Sequence, residues 1–283
     1  MKKFLIAITL LLFLTAIAAD AQWRSKTHDV YNALEKTLDI KIDGELDDAE
    51  GWKAVFDTVK GTNGDPFCGV ENEDVGGAVK AFEPHGGGKW DGADDHETCF
   101  AFVWDADAIY IALSVTDDEH QNGGGQWNGD SLQIAFEPTG KRDGGLQLFL
   151  YNVALGNDAK NMLAVHNERT NGAPGLVAGE DVAITRNENK KETYYEIAIT
   201  PEDLGLKVPF KEGYELGVGL CVNDGDKAAG QGGQKGWSGW YPHAVVHGKN
   251  SEKTGLVKLT DETLAVEPSN KLTTTWGRLK SIR

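Results

Sequence analysis

The apolar positions of this chain recur at every second residue. Ile109, Ile111, Leu113 and Val115 form one such set, and Leu132, Ile134 and Phe136 another. Tyr195, Ile197 and Ile199 form a third, and Leu216, Val218, Leu220 and Val222 a fourth. Period two places alternate side chains on one face of an extended strand. Leu146 to Val153 and Thr254 to Leu259 read as further strands. Between Trp104 and Ala108, Asp105-Ala106-Asp107 reads as a tight hairpin turn. Helical signals are few. Thr200-Pro201-Glu202-Asp203 offers a capping residue followed by proline at the first helical position, and Thr27 to Thr37 suggests a second short helix. Regularly spaced strands with few short helices predict an all-β fold: an antiparallel β-sandwich, jelly-roll-like, of two sheets.

The opposite faces of two strands carry small and polar residues. One bears Ser131, Gln133, Ala135 and Glu137, the other Gly217, Gly219, Cys221 and Asn223. Glycine within a strand weakens it and marks close approach by a ligand or by another backbone. Two readings follow: a shallow ligand trough, or room for a neighbouring loop. The chain has 35 glycines in 283 residues, clustered at Gly86–Gly88, Gly123–Gly125 and Gly230 to Gly239, which predicts long loops between strands within one domain.

Lys2 and Lys3 precede an apolar run from Phe4 to Ala18, and Ala19-Asp20-Ala21 follows as a cleavage signal. The run is too short to span a bilayer, so residues 1–21 read as a secretory signal peptide and the chain as secreted or periplasmic. Residues 22–37 then form an N-terminal segment, 38–260 the sandwich and 261–283 a C-terminal tail. The formal charge is −16, and losing Lys2, Lys3 and Asp20 takes it to −17. Such a chain repels phosphate backbones and anionic lipid, which argues against nucleic acid as a partner. Of the three cysteines, Cys221 sits in an apolar strand pattern and reads as a buried thiol, leaving Cys68 and Cys99 as the plausible pair.

An ordered series of short motifs carries a family resemblance. It opens with Ile42-Asp43-Gly44-Glu45-Leu46-Asp47, closing at Trp52, and continues through Val103-Trp104-Asp105, Ile109-Tyr110 and Val115-Thr116-Asp117. Trp127-x-x-Asp130-Ser131, Tyr194-Tyr195-Glu196-Ile197, Val222-Asn223-Asp224, Trp240 and Gly255-Leu256-Val257-Lys258-Leu259 complete it. The series resembles the family 9 carbohydrate-binding modules over about Leu38 to Thr260. That resemblance implies a sandwich that grips the end of a sugar chain between two tryptophans, with polar side chains on the hydroxyls and Ca²⁺ bracing the loops. Trp127 and Asn223 match the family's ligand positions. Gln133 stands where the family has Glu, and Cys221 where it has Gln. The second sandwiching tryptophan falls near His247 if Trp240 is the family's structural one. Otherwise Trp237 and Trp240 supply a platform from a rearranged loop.

Sugar recognition needs an aromatic face for the C–H surface and planar donors and acceptors for the hydroxyls. Trp127, Gln133, Asn223, Trp237 and Trp240 are therefore the candidate ligand-binding residues, with Trp52 and Trp104 assigned to the core. Acidic clusters at Asp117-Asp118-Glu119 and at Asp224-Gly225-Asp226 offer hard oxygen ligands, and Asp224 and Asp226 are candidate ligands for a structural Ca²⁺. His243 and His247 have a spacing that holds zinc on a helix, but Pro242 and the missing Glu argue against a protease helix. No nucleophile–base set stands out, and Glu137 and Glu196 read as hydrogen-bonding residues on regular strands rather than a glycosidase pair. The expected function is a secreted, non-catalytic carbohydrate-binding protein. The alternatives are an envelope structural or adhesion protein on the same scaffold, attached through its tail, and a non-covalent haem carrier using Met162 and a histidine.

Overall fold

The computed structural model describes residues 24–69, 82–122, 127–156, 162–227 and 233–264. The signal-peptide assignment and most of the C-terminal tail lie outside these residues. In chain order the elements are β1 (Val30–Glu35), α1 (Trp52–Thr58), β2 (Glu83–Pro84), β3 (His96–Trp104), β4 (Ile109–Asp117) and β5 (Ser131–Glu137). Then come β6 (Phe149–Leu155), β7 (Met162–Arg169), β8 (Val182–Asn187), β9 (Glu192–Ile199), β10 (Glu215–Gly225), β11 (Gln234–Ser238) and β12 (Gly255–Thr263).

The main path of hydrogen-bonded strands runs β7-β6-β5-β10-β12-β1-β3-β4-β9-β8, with β11 and β2 added beside β10. Two antiparallel halves, β7 to β12 and β3 to β8, meet at β1. The halves fold over one another, so that β8 at one end of the path contacts β6 and β7 at the other. Between them lies one core, with Leu132, Ile134, Phe136, Val218 and Leu220 from one half and Phe102, Ile111, Leu113, Tyr195 and Ile197 from the other. The β-sandwich and its alternating strands agree with the periodicity of the sequence.

One feature of the sequence reading is corrected. The segment Thr27–Thr37 is not helical: Val30–Glu35 is strand β1, alternating exposed and buried positions in its first half. Within each layer of the sandwich the strands are antiparallel, and the layers are linked through β1. β1 pairs in parallel with both β12 and β3, and so joins the halves into one sheet. The sandwich therefore begins before residue 38, and β12 carries it to Thr263, past residue 260. Tyr31 explains the strand physically: it is 1% exposed, its ring lies 4.7 Å from Phe67 and 5.0 Å from Phe102, and its hydroxyl accepts from the Phe102 amide. Such tertiary packing overrides weak local helix propensity.

The turns follow their residue chemistry. Asp105 Oδ1 accepts from the amides of Asp107 and Ala108 at 2.9 Å each, closing the β3–β4 hairpin. The Thr200 hydroxyl and Asp203 carboxylate cap each other's backbone amides and start the 3-10 turn Glu202–Leu204. Cys68 and Cys99 form a disulfide, and Cys221 is free and buried. Trp52 and Trp104 are core residues, 0% and 5% exposed. Among the described residues no helix is long and apolar enough to cross a membrane.

Candidate functional site

The site begins with the register of β5 against β10. Ser131 lies opposite Asn223, Gln133 opposite Cys221, Ala135 opposite Gly219 and Glu137 opposite Gly217. These residues face away from the core, and most of that face is covered. A Cβ on Gly219 would stand 2.4 Å from Ala244 Cβ and 2.9 Å from the Tyr241 carbonyl oxygen. A Cβ on Gly217 would stand 2.4 Å from Thr254 Oγ1. The two glycines thus make room for the loop after β11, which packs Ala244 and Val245 against Ala135, Leu148, Leu150, Cys221 and Trp237. Of the two readings of this face, the loop accounts for its glycine end.

The end bearing Gln133 stays open. It forms the floor of a cleft of about 890 Å³ whose lining includes Trp127, Asn128, Gln133, Gln234, Trp237 and His247. His85, Glu168, Arg169 and Lys249 also line it. Trp127 is 39% exposed, the only aromatic among the exposed large apolar residues described, and its ring centroid lies 6.3 Å from that of His166. Trp237 is mostly buried and presents part of its ring between His85 and His247, at 5.5 and 5.8 Å between centroids. Its indole Nε1 is buried without a hydrogen-bond partner. At the rim, the Glu168 carboxylate is paired with Lys249 and accepts from Asn152 Nδ2 at 3.1 Å.

Asn223 does not line the cleft. Only 1% exposed, it lies behind the floor, where its Oδ1 accepts from Gln133 Nε2 at 3.3 Å and Gln234 Nε2 at 3.1 Å. Its Nδ2 donates to Ser131 Oγ at 2.8 Å. The sequence assignment of Asn223 as a ligand contact is corrected accordingly: its hydrogen bonds orient the two glutamines that do face the cleft. Gln234 was missed because it follows a glycine run with no periodicity. Trp240 is corrected as well. It is fully buried among Phe67, Phe100 and Phe102, and its Nε1 donates to the His28 carbonyl at 2.6 Å. It pins the loop to the core and has no free face. Glu137 and Glu196 are also fully buried. Glu137 accepts from the amides of Thr139 and Arg142, and Glu196 from Trp52 Nε1 and the Gly44 amide. Both are spent on turns and helix placement. Met162 lies in β7, and its side chain is outside the described residues, as is any haem ligation by it.

A second polar centre sits at the far end of β10. The fold joins the two acidic motifs that are separate in sequence, so that carboxylate oxygens of Asp117, Asp224 and Asp226 lie within 4.8 Å of one another. Asp95, Asp118 and Asp226 make a second such group, and Asp117, His120 and Asp130 a third. Asp224 is fully buried and neither of its carboxylate oxygens has a hydrogen-bond partner; Asp226 Oδ1 is also unpartnered. Burial, aided by repulsion from Asp130 and only partly opposed by Lys235, pushes the Asp224 carboxyl up to about 9. Burial and Asp130 push Asp117 up to about 8 against the pull of Arg186. Lys235 Nζ contacts Asp95, lies 3.1 Å from Asp226 and 3.9 Å from Asp224, and supplies part of the compensating charge. An all-oxygen donor set with unpartnered carboxylate atoms fits a hard divalent cation such as Ca²⁺. Asp224, Asp226 and Asp117 are the residues able to hold it, which extends the sequence candidates by one.

Comparison with known proteins agrees with this architecture. The profile of the carbohydrate family 9 binding domain-like family matches residues 78–262. The chain belongs to that family. Among solved structures, it is similar to a family 9 carbohydrate-binding module from Caldicellulosiruptor kristjanssonii in complex with cellotriose, at 17% identity and a TM-score of 0.55, over 85% of this chain and 99% of that one. A second structure of a family 9 module from the same organism, in complex with glucose, gives 16% identity and a TM-score of 0.54 over 84% and 100% of the two chains. At these identities the likeness is one of fold. No curated protein matches significantly.

Proposed function

We propose that this protein is a secreted, non-catalytic carbohydrate-binding module and that its ligand lies in the cleft of Trp127, Gln133, Gln234 and Trp237. The observation that carries the reading is the contrast between Trp127 and Trp240: one exposed at the cleft rim, the other sealed in the core. An indole exposed at a cleft rim offers an apolar face that suits the C–H surface of a pyranose. The two glutamines supply donors and acceptors for hydroxyls, and their orientation is preset by Asn223. Binding rests on one aromatic stack and a few wet hydrogen bonds, so the affinity is modest. The two Caldicellulosiruptor modules, with glucose and cellotriose, make glucose-based oligosaccharides the first ligands to try.

Ca²⁺ at Asp117, Asp224 and Asp226 braces the end of β10 next to the cleft strands in this reading. It neutralises carboxylates that otherwise stay buried with little compensation. The Cys68–Cys99 disulfide supports an oxidising compartment outside the cytosol. A glycan array probed with wild type and Trp127→Ala tests the reading. Binding that depends on Trp127 supports it, and absence of binding by folded wild type refutes it.

A further inference from the structure

We infer that Glu83, His243 and His247 form a binding site for a divalent transition metal, of the zinc class, on the outer wall of the cleft. The sequence spacing of the two histidines pointed to zinc only if they shared a helix. The fold brings them together without one. Pro242–Ala244 is a single 3-10 turn, and the chain then passes His247 in a left-handed conformation with φ of 54°. Lys249, two residues on, is left-handed too, with φ of 56°. Such backbone is uncommon for non-glycine residues and persists where the surroundings hold it. Its effect is to set the two imidazole rings 5.4 Å apart between centroids, both facing the carboxylate of Glu83.

The donor geometry suits a metal. One Glu83 oxygen contacts His243 Nε2, and the other lies 3.2 Å from His247 Nε2. One donor atom from each of the three residues lies within 4.8 Å of the others. Zinc takes imidazole and carboxylate donors of this kind at about 2.0–2.2 Å. Two imidazole nitrogens and one carboxylate make a borderline-soft set that favours Zn²⁺, Co²⁺, Ni²⁺ or Cu²⁺ over Ca²⁺. The set is therefore chemically distinct from the all-oxygen cluster at Asp224.

The three ligands come from two segments remote in sequence. Glu83 is in β2 and pairs in register with Trp237 of β11. The histidines are in the loop that covers β10, and His247 itself lines the cleft. A metal here ties the strand bearing Trp237 to the loop bearing His247, and so fixes one wall of the cleft. The site stands on its own geometry, whatever the cleft binds.

The test is metal titration of tag-free, chelator-stripped protein in excess Ca²⁺, which saturates oxygen sites. Calorimetry with ZnCl₂ is expected to give one equivalent, and CoCl₂ the visible bands of a low-coordinate, nitrogen-ligated Co²⁺. Loss of outer-sphere partners alone weakens metal sites by ~10–100-fold, so the double variant His243→Ala/His247→Ala should lose more than ~100-fold in Zn²⁺ affinity. Glu83→Gln, which preserves shape and serves if the double variant does not fold, should lose at least ~10-fold. Asp224→Asn should keep the site. Undiminished Zn²⁺ binding in Glu83→Gln and in a folded double variant overturns the inference, as does no stoichiometric binding by wild type.

Discussion

Gln133 on β5 donates its side-chain amide to Asn223 Oδ1 on β10 at 3.3 Å, so a buried asparagine fixes a glutamine that faces the cleft. Asn223 does the same for Gln234 from β11 and is itself held by Ser131. One buried side chain thus sets two of the cleft's polar groups. Asn223→Ala removes the shared acceptor and leaves neighbouring polar groups without it. The expected cost is about 1–3 kcal/mol of stability by chemical denaturation. Losing the orientation of two amides should weaken ligand binding by at least ~10-fold, the equivalent of one net hydrogen bond. Unchanged binding in a folded variant would show that the floor glutamines do not touch ligand.

The glycines of β10 serve the loop that covers it. A methyl group at Gly219 meets Ala244 Cβ and the Tyr241 carbonyl oxygen far inside contact distance. Gly219→Ala should therefore destabilise the protein by about 1–3 kcal/mol through overpacking. A thermal midpoint equal to that of wild type would mean that the loop is not seated on the strand as described.

The acidic cluster predicts opposite effects of one substitution with and without calcium. Without a cation, Asp224→Asn removes a buried carboxyl with two unpartnered oxygens, so the variant should melt higher than wild type in EDTA. With calcium the order reverses. A cation that binds only the folded state stabilises by about 2.7 kcal/mol at a hundredfold excess over its dissociation constant, and the variant should lose that response. Equal calcium-induced shifts in both proteins would remove Asp224 from the site.

His96 gives the pH dependence. It is fully buried, bonds Ser238 Oγ at 2.6 Å through Nε2, and burial pushes its imidazole down to about 4, with Asp95 opposing and Lys235 adding to the effect. The unfolded chain titrates near the ordinary value of about 6.5. Between those two values the unfolded state takes up a proton that the folded state refuses, so the His96 contribution is present above about 6.5 and is lost as pH falls through about 4. Measured as wild type minus His96→Gln in EDTA, the stability difference should fall by up to about 3 kcal/mol over that window. A difference independent of pH would mean that the ring is accessible to protons in the fold.

Much of the scaffold is written in the sequence as alternation. The sets around Ile111, Ile134, Ile197 and Val218 each became a core strand because burial on one face imposes period two. β1 escaped because its membership depends on Tyr31 meeting Phe67 and Phe102, partners far away in sequence. The site was partly legible. Trp127, Gln133 and Trp237 do line one cleft, but motif matching cannot separate a residue in the cleft from one behind it. Asn223 and Trp240 sit behind it, in the hydrogen-bond layer and in the core. The Glu83–His243–His247 group lay hidden because its spacing has meaning only once a left-handed turn at His247 folds the loop back.

The most direct measurement of the central claim is a titration of purified protein with gluco-oligosaccharides and a glycan array, comparing wild type with Trp127→Ala by calorimetry. Trp127 is exposed at the rim, so its removal should leave the melting temperature within about 2–4 °C of wild type, as for surface substitutions. Saturable binding by wild type, lost in the equally stable variant, is the result this account predicts. Saturable binding of the same strength in Trp127→Ala, or none by folded wild type across the array, would contradict it.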